Sequence, residues 1–228
     1  MTALPGTSKA ATMSAILPSA PKALLTRRAL LAVATAVSFL GLVTGGMPFA
    51  RAQGTDAATT FVDRTGKALV AAVNGPGSAE QKKEALRTII DRDVDVAEIA
   101  RFCLGRFWRV ATPQQQQDYT ALFHQVLVNN ITGKIGDYKG VAFALGRGSP
   151  RGADTAVSTT VTRPGNEPSR VDWLVTMVSG APKITDVIAE GTSLRLTQRD
   201  DYSAFLARNN GNVQALIDAM RRQSVQPS

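Results

Sequence analysis

The sequence predicts an α+β fold, with helices at both ends of the folded region and an antiparallel sheet between them. Three observations predict it. Residues 56–131 carry apolar side chains at helical spacing, residues 141–189 contain four segments rich in β-branched residues, and residues 196–222 return to helical spacing. Short turns at 163–168 and 179–182 separate neighbouring predicted strands, so consecutive strands should pair antiparallel. Helices segregated from such a sheet are typical of the α+β class.

Residues 1–52 are predicted to be an export signal outside the folded domain. A basic, polar stretch precedes a largely apolar run at 29–43, and Ala50 and Ala52 form a small-x-small cleavage pattern. The run is shorter than the roughly 20 residues that span a bilayer, which favours a cleaved signal over a membrane anchor. Arg27 and Arg28 leave both the general and the twin-arginine export routes open. We expect cleavage near Ala52, and one domain, residues 53–228, soluble outside the cytoplasm.

The basic charge of the full chain does not indicate nucleic-acid binding. The chain has 26 basic and 18 acidic residues, but five of the basic residues and none of the acidic ones lie in residues 1–52. Residues 53–228 therefore carry a net charge of +3, with both signs mixed along the chain. This distribution argues against a nucleic-acid partner. One cysteine, Cys103, cannot form an intramolecular disulfide, so the fold should be stabilised by its core.

Four helices are predicted in the first half of the domain. They cover residues 56–73, 79–90, 95–108 and 113–131, and two more cover 196–209 and 212–222. Ser78 with Gln81, and Thr112 with Gln115, have the spacing of capping boxes at helix starts. Pro113 suits the first position of the fourth helix.

Four strands are predicted, at residues 141–149, 154–162, 169–178 and 183–189. The third strand alternates most clearly, because Val171, Trp173, Val175 and Met177 share one face. Its other face is only half polar, so we expect that face to be partly covered.

The single cysteine and the single histidine, Cys103 and His124, raise the hypothesis of a Cys–His hydrolase. A cysteine nucleophile needs a thiolate and a base within hydrogen-bond reach. Cys103 lies on the apolar stripe of its helix with Ile99 and Phe107, where burial would raise its pKa. His124 follows Phe123 and points about 100° away from it around the helix. We therefore interpret Cys103 as a small buried side chain and His124 as a surface residue, and keep the hydrolase only as an alternative.

Other chemistry has little support in the sequence. One histidine and one cysteine are too few for a typical metal site, and the acidic residues at 91–95 lack the rest of a calcium loop. The glycines and arginines at 146–152 precede a predicted strand, so a hairpin loop is favoured over a phosphate loop. We expect no catalytic residues, no metal and no cofactor. An ordinary core, an apolar-ligand cavity between helices and sheet, and a filled adaptor with an apolar surface patch all remain open.

Two blocks of the sequence carry a family pattern. In the first, residues 99–131, the matching residues are Leu104, Gly105, Trp108, Arg109, Ala111, Thr112, Pro113 and Gln115. In the second, residues 183–206, they are Lys183, Asp186, Val187, Glu190, Gly191, Ser193 and Arg199. With the export signal, this pattern resembles the MlaC family of periplasmic phospholipid carriers, also called toluene-tolerance auxiliary proteins. The resemblance extends from about residue 56 to residue 222.

The resemblance implies a binding protein and not an enzyme. It implies an apolar lipid pocket between the layers, and transfer of phospholipid between the outer and inner membranes. The implied partners are an outer-membrane lipoprotein complex and an inner-membrane ABC transporter with an MCE-type subunit, for which this chain would be the substrate-binding component. On this basis the candidate pocket residues are Phe102, Phe107, Trp108, Leu122, Val126, Ile131, Trp173, Val175 and Val187. Arg109 and Arg199 are candidates for a lipid headgroup or a partner surface. Ordinary core positions, and ion pairs for the two arginines, are the alternative interpretation.

The chain also departs from the family pattern. Pro182 and Thr185 replace a usual tryptophan and tyrosine, Ile131 replaces a tyrosine, and Tyr202 replaces a phenylalanine. One branch of the family, HpnM, accompanies hopanoid biosynthesis. A hopanoid, a rigid polycyclic lipid, is therefore the alternative ligand.

Overall fold

The computed structural model describes residues 49–225, and its first half is helical. The helices are α1 (Phe49–Asn74), α2 (Ala79–Asp93), α3 (Val96–Leu104) and α4 (Pro113–Thr132). Short 3-10 helices follow α3 at Gly105–Arg109 and α4 at Ile135–Tyr138. The predicted export signal lies outside the described residues, apart from residues 49–52 at the start of α1. No helix within residues 49–225 is long and apolar enough to cross a membrane.

The predicted helix starts agree with local hydrogen bonds. Ser78 and Gln81 form a capping box at α2, and Thr112 and Gln115 form another at α4. The predicted third helix, however, ends at Leu104 and not near residue 108. Gly105 has φ +58° and ψ −129°, a backbone conformation that stops the helix and that glycine adopts with least strain.

The second half is a mostly regular antiparallel sheet followed by two helices. Its strands are β1 (Ala142–Arg151), β2 (Asp154–Thr162), β3 (Ser169–Val178), β4 (Ala181–Ala189) and β5 (Thr192–Ser193), and they lie in this order across the sheet. The four predicted strands and their antiparallel pairing are confirmed, but the sheet has five strands and not four. The fifth arises because Glu190 and Gly191 both have positive φ and return the chain beside β4 for two residues. The helices α5 (Leu194–Arg208) and α6 (Val213–Ser224) complete the domain.

Helix α1 covers one face of the sheet. Its buried side chains pack with β2, β3 and β4 in a group that we call the sheet cluster, namely Ala58, Phe61, Val62, Val157, Val175 and Ile184. Glycine permits the close approach of α1 to β1, because a Cβ at Gly148 would lie 2.6 Å from Oγ1 of Thr59.

The start of α5 lies against the other face. Asp186, the β4 partner of Leu174, accepts hydrogen bonds from Oγ of Ser193 and the backbone N–H of Arg195. Leu174 is 5% exposed. The prediction that this half-polar face is partly covered is therefore confirmed.

A second buried group, the helical cluster, is formed by residues of α2 to α6. At its centre the hydroxyl of Tyr119, which is fully buried, donates to the carbonyl of Ala100, and the rings of Tyr119, Phe123 and Tyr202 pack at tilted or edge-on angles. Val94 packs against both the helical cluster and the sheet cluster. It forms a parallel bridge with Ile184, so the α2–α3 junction joins the helices to β4.

Candidate functional site

Cys103 and His124 lie in different environments. The Cys103 thiol is 1% exposed and donates a weak hydrogen bond to the carbonyl of Arg195. Burial, together with the nearby carboxylate of Asp186, raises the pKa of this thiol to about 12. Nε2 of His124 instead contacts the carboxylate of Asp91 on α2. The prediction that Cys103 is a small buried side chain is confirmed, and the thiol has neither the ionisation nor the base that a nucleophile requires.

The face of the sheet beneath α1 is only partly covered. In the register, Trp173 lies opposite Val187, and Val171 lies opposite Ala189. These four apolar residues share the face of buried Val175 but remain partly exposed. We call them the apolar strip.

The indole N–H of Trp173 has its hydrogen-bond acceptor within the sheet. Its indole Nε1 donates a 2.9 Å hydrogen bond to Oγ1 of Thr159, which is 2% exposed. The rest of the indole therefore presents apolar ring surface to the strip without an unmet hydrogen bond.

A depression of about 190 Å³ opens at one end of the same face. Ala58 of α1, Val175 and Met177 of β3, and the β1–β2 turn around Gly152 and Asp154 line it. Met177 is 52% exposed, and Ala58 and Val175 belong to the sheet cluster. The exposed side chain of Met177 thus lies at the rim of a depression whose floor includes the buried Ala58 and Val175.

The structure divides eight of the nine predicted pocket residues between the two clusters. Val175 belongs to the sheet cluster, and Trp173 and Val187 pack against it. The remaining members of the predicted set lie with the helices: Val126 in the helical cluster, and Phe102, Phe107, Trp108 and Leu122 partly buried against it. Ile131 is 39% exposed. The nine residues therefore form two groups and one exposed position, and Trp173 lies directly opposite Val187 on the adjacent strand.

The two predicted arginines also separate. Arg109 is exposed at the end of the 3-10 helix after α3. The guanidinium carbon of Arg199 lies 5.0 Å from the ring centre of Phe102, and that of Arg195 lies 4.5 Å from the same ring. Arg195 was not predicted as a site residue, because the predicted start of this helix was residue 196. The N-cap Ser193 was the available signal, since it places Arg195 and Arg199 four residues apart in one helix.

Potential metal ligands do not cluster in the described part of the chain. Between residues 49 and 225, no three potential ligands converge as a metal site would require. What the sheet face offers instead is apolar surface, partly open to solvent.

Comparison with known proteins agrees with this geometry. A family model described as MlaC protein matches residues 61–222, well over half of the chain. A solved structure with a similar fold is that of the phospholipid-binding protein from Ralstonia solanacearum in complex with a phospholipid. The TM-score is 0.66 at 22% identity, and the alignment covers 74% of this chain and 97% of that one. At this identity the likeness shows a shared fold.

Proposed function

The chain belongs to the MlaC family, and from this premise we propose that it is a periplasmic lipid carrier whose ligand covers the apolar strip of the sheet. The observation that carries the proposal is the strip itself. Trp173 and Val187, with Val171 and Ala189 beside them, remain partly exposed on a face that α1 covers only in part. Contiguous, partly exposed apolar surface of this kind is typical of a ligand or partner site.

The division of the apolar interior supports the same proposal. A domain of this size usually has one contiguous core, whereas here a sheet cluster and a helical cluster are bridged by Val94. An acyl chain bound beside Val94 would contact both clusters. It would also shield the apolar strip from solvent. Eight of the nine predicted pocket residues, all except Ile131, would then form two walls, one from the sheet and one from the helices.

The energetic need for such a carrier follows from the ligand. Each methylene removed from water contributes about 0.8 kcal/mol, so an acyl chain of about 16 carbons opposes free aqueous transit by roughly 13 kcal/mol. A carrier needs matching apolar surface and no nucleophile. The buried, protonated thiol of Cys103 is consistent with a binding protein and not an enzyme.

Family membership also supports a cellular role for the carrier. In this proposal the chain is exported with residues 1–52 as its signal and moves phospholipid between the outer and inner membranes. It serves as the substrate-binding component of an MCE-type ABC transporter and exchanges lipid with an outer-membrane lipoprotein complex. Arg109 and Arg199 are proposed to contact a lipid headgroup or one of these partners.

Lipid extraction is the direct test of the carrier. Protein purified without detergent should contain bound phospholipid, detectable by native mass spectrometry and by extraction. Recovery of a hopanoid would change the proposed ligand from a phospholipid to a hopanoid, but it would still support a lipid carrier. Protein that is always recovered without lipid, and that takes none from vesicles, would favour the adaptor with a filled core.

Matched charge substitutions test the position of the ligand. Val187→Asp places a carboxylate in the strip and should abolish lipid uptake from vesicles, because a buried charge without a partner is strongly disfavoured. Thr160→Asp adds the same charge at an exposed β2 position that pairs with Arg170, on the opposite face. It should leave uptake unchanged. Equal uptake by both folded variants would exclude the strip as the site.

A further inference from the structure

Two guanidinium groups pack on one phenyl ring where α3 and α5 meet. The guanidinium carbons of Arg195 and Arg199 lie 4.5 Å and 5.0 Å from the ring centre of Phe102. Cation–π contacts of this kind fix the position of arginine side chains. Nη1 of Arg195 also donates a hydrogen bond to the carbonyl of Thr185 at 3.4 Å, so this guanidinium group is held by the protein from two sides. The two positive charges also oppose the rise in the pKa of the Cys103 thiol, so both lie close to α3.

Of the two guanidinium groups at this position, one is paired with a carboxylate. Asp186 is the carboxylate that pairs with Arg195, at 3.5 Å from Nε. Its oxygens already accept from Oγ of Ser193 at 2.6 Å and from the backbone N–H groups of Val187 and Arg195 at 2.8 and 3.2 Å. Within residues 49–225, no ion pair involves Arg199. Among the described residues, Arg195 is therefore ion-paired, whereas Arg199 carries a positive charge without an ion-pair partner.

Gly105 makes room for Arg199. A Cβ at this glycine would lie 3.3 Å from Nε and 3.6 Å from Nη2 of Arg199. Gly105 also has φ +58°, which disfavours other residues. The glycine that ends α3 thus lets one guanidinium group lie against the backbone, beside a second one held on the same ring.

We propose that Arg195 and Arg199, positioned by Phe102 and Gly105, form a binding site for a phosphate oxyanion. Paired guanidinium groups offer planar sets of N–H donors that match phosphate oxygens, and the positive charge of Arg199 favours a dianion or a phosphodiester over a neutral ligand. Such a phosphate can belong to a lipid headgroup or can be free in solution. Binding of a lipid headgroup, the headgroup form of the proposal, rests on the proposed lipid carriage. Binding of free phosphate, the free-phosphate form, does not.

Titration with inorganic phosphate tests the arginine site by itself. Calorimetry in a phosphate-free buffer should detect binding to the full chain, and Arg199→Gln should weaken it by about tenfold or more, as expected for loss of a charged hydrogen-bond donor. Arg195→Gln should act in the same direction. Arg208→Gln is the matched control, an exposed arginine in the last turn of the same helix. No binding by the wild type, or equal affinity in Arg199→Gln and wild type, would overturn the site.

Arg199→Gln keeps this test valid even if Arg195→Gln unfolds, because Arg199 is not paired with the buried carboxylate of Asp186. Circular dichroism should show wild-type structure for Arg199→Gln. A folded variant with unchanged phosphate affinity would then count directly against the proposal.

Uptake from vesicles distinguishes the two sources of phosphate. One vesicle preparation contains phosphatidylglycerol, and the other contains diacylglycerol with the same acyl chains. For a headgroup site, wild type should prefer phosphatidylglycerol, and Arg199→Gln should lose that preference. Equal uptake of both lipids, with arginine-dependent binding of inorganic phosphate, would support the free-phosphate form. Uptake of neither lipid would overturn the carrier function, and the calorimetric result alone would then decide the arginine site.

Discussion

The indole Nε1 of Trp173 donates to Oγ1 of Thr159, and this hydroxyl in turn donates to the carbonyl of Val171. The three residues span two adjacent strands, since Thr159 lies opposite Val171 in the β2–β3 register. The chain of hydrogen bonds fixes the indole against the sheet and consumes its one polar group. Trp173 can therefore contribute apolar surface to a ligand site at a fixed orientation.

Thr159→Val should loosen this tryptophan. The substitution keeps the volume but removes the acceptor, leaving the indole N–H of Trp173 without its partner in a half-buried position. We expect a loss of about 1 kcal/mol in the free energy of unfolding. A red shift of the Trp173 emission, measured in a Trp108→Phe background, should accompany it.

Thr160→Val is the control for this change, because Thr160 is exposed on the same strand. It should leave the free energy of unfolding and the emission spectrum nearly unchanged. If Thr159→Val behaved like Thr160→Val, the hydrogen bond would not determine the orientation of the indole.

The Cys103 thiol should be inert in the folded protein. Its pKa is raised to about 12, chiefly by burial, so almost none of it is thiolate at pH 8. A maleimide should label it only after unfolding in guanidinium chloride. Cys103→Ser should leave lipid uptake and phosphate binding intact. Rapid labelling of the native protein, together with loss of function in Cys103→Ser, would revive the Cys–His hydrolase.

Sequence analysis predicted well those features that depend on neighbouring residues. The capping boxes at Ser78 and Thr112 were predicted because their partners lie three residues away. The strands were predicted because alternation and turn residues are local patterns too. Helix α3 was predicted too long, since the apolar spacing continues to Phe107 while the backbone turns at Gly105.

The candidate site was less predictable because it depends on contacts between distant segments. Trp173 and Val187 were both predicted, but nothing local showed that β4 would place Val187 opposite Trp173. Val171 and Ala189 were missed as site residues, since a partly covered position has the same sequence pattern as a fully covered one. Val94 joins the two clusters through a bridge to Ile184, a residue far along the chain.

Gly105→Ala should disturb both the fold and the arginine site. The new Cβ would have to tolerate φ +58° and would lie 3.3 Å from Nε of Arg199. Strain of this kind typically costs about 1–3 kcal/mol, so the midpoint of thermal unfolding should fall. Affinity for inorganic phosphate should also fall, because Arg199 must move.

Gly136→Ala is the matched control for this substitution. Gly136 has no heavy atom within 4 Å of its Cβ position and is not among the glycines with positive φ. It should be neutral or slightly stabilising. A Gly105→Ala variant as stable as Gly136→Ala, with unchanged phosphate affinity, would contradict the role given to Gly105.

Asp93 should make the stability of the protein depend on pH in the acid range. Its side chain is 1% exposed and accepts from Thr65 at 2.8 Å, from Arg64 at 3.1 Å, and from Arg92 at 2.7 and 2.8 Å. Burial alone would raise the pKa of Asp93, but the hydrogen bonds from Arg92 and Thr65 and the two positive charges hold it below its usual value. The carboxylate is therefore more stable in the folded than in the unfolded chain.

A carboxyl group with a lowered folded pKa stabilises the fold above its unfolded pKa of about 3.9, and this contribution is lost as pH falls through the folded pKa. Asp93→Asn should lower the free energy of unfolding, measured with urea at pH 7, by about 2–3 kcal/mol. This loss is smaller than for a fully buried ion pair, because both arginines are at least half exposed. The difference from wild type should shrink below about pH 4. Asp63→Asn, which removes an exposed pair with Lys67, should cost less than about 0.5 kcal/mol. A constant difference between Asp93→Asn and wild type from neutral to acid pH would show that Asp93 does not stabilise the fold as a carboxylate.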